Sequence, residues 1–323
     1  MTTNPPKNTL QLEVSNFRSE AKDIVVLELR DRSRNSLPSF TPGSHLEVYL
    51  PDGLVRHYSI YNDPTERDRY CLGIGLSQNS RGGSRYIHES IRQGDTLVVS
   101  EPRNNFPLVA EAEEYCFIAG GIGITPILSM IKWCIGEGKS WCLYYCVRSR
   151  QRAAFYEEIR SLGTPASVHF HFDEEQGGRF FEPCRALQDL SAAVHIYCCG
   201  PAPLMNAVQS ATQERPEDHV HFEWFSPKSQ IQVDHRAFTL VIRSSGRRLA
   251  VPPEQSILDV LDDHGISVPY SCREGLCATC QTTVISGIPD HRDSVLSMEQ
   301  RASNRTMLVC VSRSRSDTLE LDL

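Results

Sequence analysis

A chain of 323 residues allows two or three domains, each large enough for its own core. Its 40% hydrophobic and 23% charged content is ordinary for a globular protein, and a formal net charge of −7 argues against a nucleic-acid partner. The opening Met-Thr-Thr-Asn-Pro-Pro-Lys-Asn has no apolar stretch behind a basic start, and the most apolar window, residues 116–135, is broken by three glycines and a proline. No signal peptide or membrane span is therefore expected.

From Leu10 to Pro107 short alternating apolar runs are broken by Pro and Gly: 24–29, 45–50, 70–76 and 96–99. Such even spacing predicts an antiparallel barrel over residues 1–108. Arg56-His57-Tyr58-Ser59-Ile60 ends one strand with a cation, an aromatic ring and a hydroxyl, and Arg81-Gly82-Gly83-Ser84 leads into a helix predicted over 85–91. A Gly-Gly-Ser turn opening a helix presents free N–H groups to a phosphate; alone, each motif reads as an ordinary strand or turn.

From Tyr115 strands alternate with helices. Strands are predicted at 115–119, 141–147, 167–172, 195–198 and 219–224, with helices at 126–135, 153–162, 185–190 and 203–212. This series predicts a parallel, doubly wound sheet over residues 109–226, of strand order 3-2-1-4-5. Its first turn, Gly120-Gly121-Ile122-Gly123-Ile124-Thr125-Pro126, reads as a glycine turn leading into a helix capped by Thr125, with Pro126 in the first helical position. Pro126 stands where an ordinary dinucleotide fingerprint has its third glycine. A second turn, Cys199-Gly200-Pro201, closes the fourth strand, so both turns should line one crevice that a nicotinamide enters. Arg148-Ser149-Arg150 follows the second strand, where NADP enzymes keep a cation; a solvated basic turn reads the same way.

Residues 227–236 are polar and aperiodic and read as a linker. Beyond them, strands at 238–242 and 248–251 and a helix capped by Ser256 fit a β-grasp domain over 237–323. Within it Cys272, Cys277 and Cys280, followed by the distant Cys310, have the C-x4-C-x2-C plus one spacing of a plant-type [2Fe–2S] site, with Gly275 supplying a position tolerant of positive φ. Zinc sites pair close doublets, and a disulfide framework suits a secreted chain, so both fit this spacing less well. The other eight cysteines (71, 116, 134, 142, 146, 184, 198, 199) mostly sit among apolar residues and read as reduced core thiols.

The last quarter resembles plant-type ferredoxins, and the barrel and nucleotide motifs resemble the ferredoxin–NADP reductase superfamily. The order barrel, nucleotide domain, ferredoxin, together with Asp290-His291-Arg292-Asp293-Ser294-Val295-Leu296, resembles the phthalate dioxygenase reductase family. That resemblance implies a cytoplasmic oxidoreductase carrying FMN and a [2Fe–2S] cluster, reduced by NADH, and serving a terminal oxygenase of Rieske type. By it, Arg56 and Ser84 meet the flavin phosphate and Tyr58 packs on the ring, while His57, Ser59, Gly73, Ile74, Gly75, Arg81, Gly82 and Gly83 add contacts. Gly120, Gly121, Gly123, Thr125, Pro126, Arg148, Ser149, Cys199, Gly200 and Pro201 meet the nucleotide, and Thr125, Cys199, Glu223 and Phe225 surround the reacting rings. An FAD or NADPH enzyme serving another monooxygenase or ferredoxin stays open, as does a non-enzymatic electron carrier.

Overall fold

The computed structural model describes residues 9–77, 82–164, 167–227 and 236–323. The chain divides into two compact units, Met1–Phe225 and Ser226–Leu323. Most of the predicted linker lies outside the described residues.

The first unit begins with strands β1 (Thr9–Ala21), β2 (Ile24–Arg30), β3 (His45–Tyr49), β4 (Val55–Ser59), β5 (Tyr70–Gly75), helix α1 (Gly83–Ser90) and β6 (Thr96–Ser100). The strands form an antiparallel sheet of order β4-β3-β6-β1-β2-β5. A bridge between Ile60 and Leu72 ties the two edges, so the sheet closes into the expected barrel around Leu27, Leu46, Val48, Tyr70 and Val99.

Next come β7 (Glu114–Gly120), α2 (Ile124–Gly136), β8 (Ser140–Val147), α3 (Tyr156–Leu162), β9 (Val168–Phe172), α4 (Pro183–Leu187), β10 (His195–Cys199), α5 (Ala202–Ala211) and β11 (Val220–Glu223). All five strands pair in parallel in the order β11-β10-β7-β8-β9, the doubly wound arrangement read from the alternation. Helix α3 starts three residues later than its sequence suggests. Phe155 takes a left-handed backbone (φ 58°), donates its N–H to the Glu20 carboxylate at 2.9 Å, and packs its ring 4.5 Å from Tyr61. One apolar core joins the barrel residues Ile24, Val26, Tyr61 and Phe106 to Phe117, Ile127, Tyr145 and Phe155 of the parallel-sheet part.

The second unit contains β12 (Phe238–Ile242), β13 (Arg248–Val251), α6 (Ile257–Asp263), β14 (Gln281–Ser286), β15 (Pro289–Asp290), α7 (Met298–Ser303), β16 (Thr306–Leu308), β17 (Arg313–Ser314) and β18 (Thr318–Leu321). Its main sheet runs β13-β12-β18-β14-β16, with the β12–β18 pair parallel, and α6 packs its Ile257, Leu258 and Leu261 into the core, giving the β-grasp fold. Ser256 caps α6 through a reciprocal box with Asp259, and Ser297 caps α7 the same way with Gln300. No helix among the described residues is long and apolar enough to cross a membrane.

Candidate functional site

Strand alternation sorts the residues of β4. Register places Arg56 and Tyr58 opposite Val48 and Leu46, while His57 and Ser59 lie opposite Glu47 and His45 on the other face. The Arg56 side chain crosses the start of α1, where a Cβ on Gly83 would sit 2.5 Å from Arg56 Cγ. The preceding Gly82, at φ 95°, caps α1 with no side-chain hydrogen bond, and the Arg56 guanidinium lies beside that end. The Ser84 hydroxyl lies at the same turn, accepting from the Ser77 N–H at 3.4 Å. Tyr58 hydroxyl is buried with no hydrogen-bond partner among the described residues, and burial raises its pKa. An orphaned buried phenol on the same strand face as Arg56 fits a bound phosphate-bearing ring system. His57 instead stacks on His45 at 5.0 Å and lies 3.8 Å from the buried Glu47, which also pairs with Arg103 at 3.1 Å. Arg81 lies outside the described residues.

On β5, Gly73, Ile74 and Gly75 lead from the barrel to the first nucleotide turn. A Cβ on Gly73 would meet Thr125 Cγ2 at 2.8 Å, while Ile74 points into the barrel core and its carbonyl accepts from His88 Nε2 at 2.9 Å.

The two glycine turns meet backbone to backbone. A Cβ on Gly120 would sit 2.5 Å from Pro201 Cδ, one on Gly200 would sit 2.9 Å from Gly120 Cα, and one on Gly123 would be driven into the Cys199 carbonyl. Gly121 differs: it has φ 53° and open space where its Cβ would point, a cradle beside the uncapped start of α2 that fits a pyrophosphate. Thr125 is not the N-cap its position suggested. A short 3-10 turn over Gly121–Gly123 runs straight into α2, so Thr125 and Pro126 fall inside its first turn and the Thr125 hydroxyl donates back to Ile122 C=O at 2.9 Å.

Cys199 is fully buried, paired in register with Ala119 on one side and Glu223 on the other. Its Sγ lies 4.0 Å from Glu223 Oε2. Burial pushes the Glu223 carboxyl up to about 8 and raises the Cys199 thiol as well. The thiol is therefore a neutral, apolar wall rather than a nucleophile. Phe225 follows the buried Trp224 and keeps 39% of its surface exposed.

Arg148 is exposed and Ser149 half-buried at the end of β8. Arg150, the other cation of that turn, donates to Glu175 from Nε at 2.5 Å and Nη2 at 3.1 Å and lies 4.6 Å from the Phe172 ring centre. Glu174 N–H donates to Arg148 C=O at 3.0 Å, so an acidic turn stands against the basic one and offsets the charge a 2′-phosphate would seek.

In the second unit the cysteine thiols converge. Cys272 contacts Cys277 and Cys310, Cys280 contacts Cys310, and only Cys272 is not fully buried. Shared contacts and burial raise the Cys277 and Cys310 thiols, since four thiolates cannot share this space without cationic charge between them. The loop holds Arg273 and Ala278 at φ 56° and 58° beside Gly275 at 70°. No group of three or more such side chains among the described residues is arranged for a single metal ion; a two-iron cluster divides its four thiolates between two metals and asks for no such cage. The donor set fits that cluster.

A flavin-type barrel, a doubly wound nucleotide sheet and a four-cysteine β-grasp define an oxidoreductase that moves electrons between a nicotinamide and an iron–sulfur centre. Residues 117–210 match the oxidoreductase NAD-binding domain and residues 240–315 the 2Fe-2S iron-sulfur cluster binding domain. The chain is 42% identical over 321 residues to tetrachlorobenzoquinone reductase of Sphingobium chlorophenolicum, covering 98% of this chain and 99% of that one. Among solved structures, phthalate dioxygenase reductase, described as modular for electron transfer from pyridine nucleotides to [2Fe-2S], matches with TM-score 0.73, 38% identity and 98% of each chain. An intact type IV self-sufficient cytochrome P450 monooxygenase matches with TM-score 0.87 and 36% identity over 98% of this chain, which spans 41% of that protein's length. The chain belongs to the phthalate dioxygenase reductase family.

Sequence reading missed Glu175, Asp293 and Arg301. Of these, Asp293 lies in the 290–296 run noted above, and Arg301 directly follows Gln300, which with Ser297 spells a capping box.

Proposed function

We propose that this protein is the NADH-dependent reductase component of a Rieske-type oxygenase system in the cytoplasm, with FMN and a [2Fe–2S] cluster as resident cofactors. Bound FMN supplies the conversion between the electron pair of a hydride and the single electrons an iron–sulfur centre takes. Residues 1–108 hold the flavin, 109–226 the nicotinamide nucleotide, 227–236 link, and 237–323 hold the cluster. Arg56, Ser84 and the α1 turn bind the flavin phosphate, and Tyr58 lies along the ring. His57 and Ser59 serve from the opposite face of β4. Gly121 and the start of α2 take the pyrophosphate. Thr125, Cys199 and Glu223 would keep the nicotinamide ring in place and water out, and the partly exposed Phe225 would stack on the flavin ring. Cys272, Cys277, Cys280 and Cys310 hold the cluster. Hydride transfer asks for placement rather than acid or base, which suits a wall of neutral Cys199 and a largely protonated Glu223.

The single observation behind this reading is the co-occurrence, in one chain, of the backbone-to-backbone nucleotide crevice and the converging cysteines. Relatives at 37–39% identity carry names as reductase subunits of oxygenases, which supports an oxygenase as acceptor. The likeness to a self-sufficient P450 favours a haem monooxygenase as second reading. Anaerobic titration of the purified protein with NADH, followed in the visible spectrum, tests the proposal. Bleaching of both flavin and cluster bands is expected. Loss of the flavin band alone, or no flavin at all, would overturn it. Reduction of an added Rieske oxygenase but not of a P450 then separates the two acceptors.

A further inference from the structure

Asp293 is a buried carboxylate, 3% exposed, set against the cysteine loop. Its Oδ1 accepts from the Val295 and Leu296 N–H groups at 3.0 and 2.8 Å and from Arg301 Nη2 at 3.0 Å. Arg301 also donates to the Asp293 carbonyl at 2.7 Å and, through Nε, to the Leu296 carbonyl at 3.0 Å. Five hydrogen bonds thus fix one turn of chain around a single ion pair.

That turn touches both arms of the ligand set. Ser294 N–H donates to Gly275 C=O at 2.9 Å, inside the stretch between Cys272 and Cys277. A Cβ on Gly275 would sit 3.0 Å from Asp293 Cα and 2.6 Å from Cγ2 of Val311, the residue after Cys310. No side chain can separate loop, turn and fourth-ligand segment. Close by, Asp293 Oδ2 and both ring nitrogens of His291 are buried without hydrogen-bond partners. The Asp293 carboxylate is thus out of solvent, while the Arg301 side chain keeps 28% of its surface exposed.

We infer that Asp293 and Arg301 form a positioning pair that holds the cysteine loop and sets the reduction potential of its cluster through their opposed charges; this rests on the cluster reading above. Adding an electron makes the cluster more negative, so a lone positive charge beside it favours reduction and a lone negative charge disfavours it. Removing either partner alone leaves the other uncompensated.

The test is spectroelectrochemical titration of the cluster band in the full-length holoprotein. Asp293→Asn should raise the potential, Arg301→Gln should lower it, and Arg301→Lys, which keeps the charge, should return it close to wild type. A purely structural role would move Asn and Gln variants in the same direction through loop loosening, and that result, or no shift in either, overturns the proposal. If Asp293→Asn fails to retain iron, the Arg301→Gln and Arg301→Lys pair decides alone: a lowered potential restored by lysine supports the inference, and equal values for the two refute it. Absence of iron from the wild-type protein would instead sink the cluster reading itself.

Discussion

The nucleotide crevice and the cysteine loop are built in opposite ways. At the crevice, Gly120, Gly123 and Gly200 bring two turns so close that no Cβ fits between them, and the site exists because side chains are missing. At the cysteine loop the site is its side chains, carried on a backbone held at positive φ at Arg273, Gly275 and Ala278. The first site should fail when a side chain is added to its glycines; the second should fail when one of its thiolates is removed.

The largest expected effect is at the loop: Cys310→Ser should abolish the cluster band and most bound iron while NADH still reduces ferricyanide through the first unit. At the crevice, Gly123→Ala should cost the first unit about 1–3 kcal/mol by overpacking and cut NADH-driven flavin reduction at least tenfold, read by thermal melting and stopped flow. Equal stability of this variant and wild type would break the comparison.

Glu223 sharpens it with a pH signature. Its folded pKa of about 8 lies above the unfolded value of about 4.3, so the folded state keeps a proton the unfolded state has lost. Stability should therefore fall as pH rises from about 4.3 to 8 and then level off. Glu223→Gln removes that loss, so in nucleotide-free protein its gain over wild type should grow from about 1 kcal/mol near pH 5 to a few kcal/mol at pH 8 and above. Cys199→Ala should slow flavin reduction only about tenfold, about 1.4 kcal/mol, without loss of flavin content. Smallest is Ala278→Gly, where relief of left-handed strain of about 1–2 kcal/mol is mostly offset by glycine's entropy; melting of the second unit should move by less than about 1 kcal/mol and iron content should hold.

Local chemistry made much of this legible. The cysteine spacing, the βα alternation and the barrel's short strands each carry their signal within a few residues, and the strand order followed from them. What stayed hidden was tertiary. Arg150 reads as a free cation, yet Glu175, twenty-five positions along, holds it. Thr125 reads as a cap because Thr before Pro is a good one, but the glycine turn coils tightly enough to swallow it into the helix. The raised Glu223 pKa arises from burial, which one sequence position does not announce. Asp293 stands in the sequence only as part of the run that resembles the family, and packing alone shows it and Arg301 serving one turn.

The core shared by Tyr61, Phe106, Phe117, Ile127 and Phe155 has a genealogical consequence. A crossover near residue 109 would splice half of that core to a stranger's half, exposing apolar surface in every offspring that failed to match it. The second unit keeps a core of its own around Leu240, Leu258, Leu308 and Leu319. Recombination can therefore shuffle the sulfur-ligating cassette among lineages as a single exchangeable part, while the barrel and parallel sheet are inherited together.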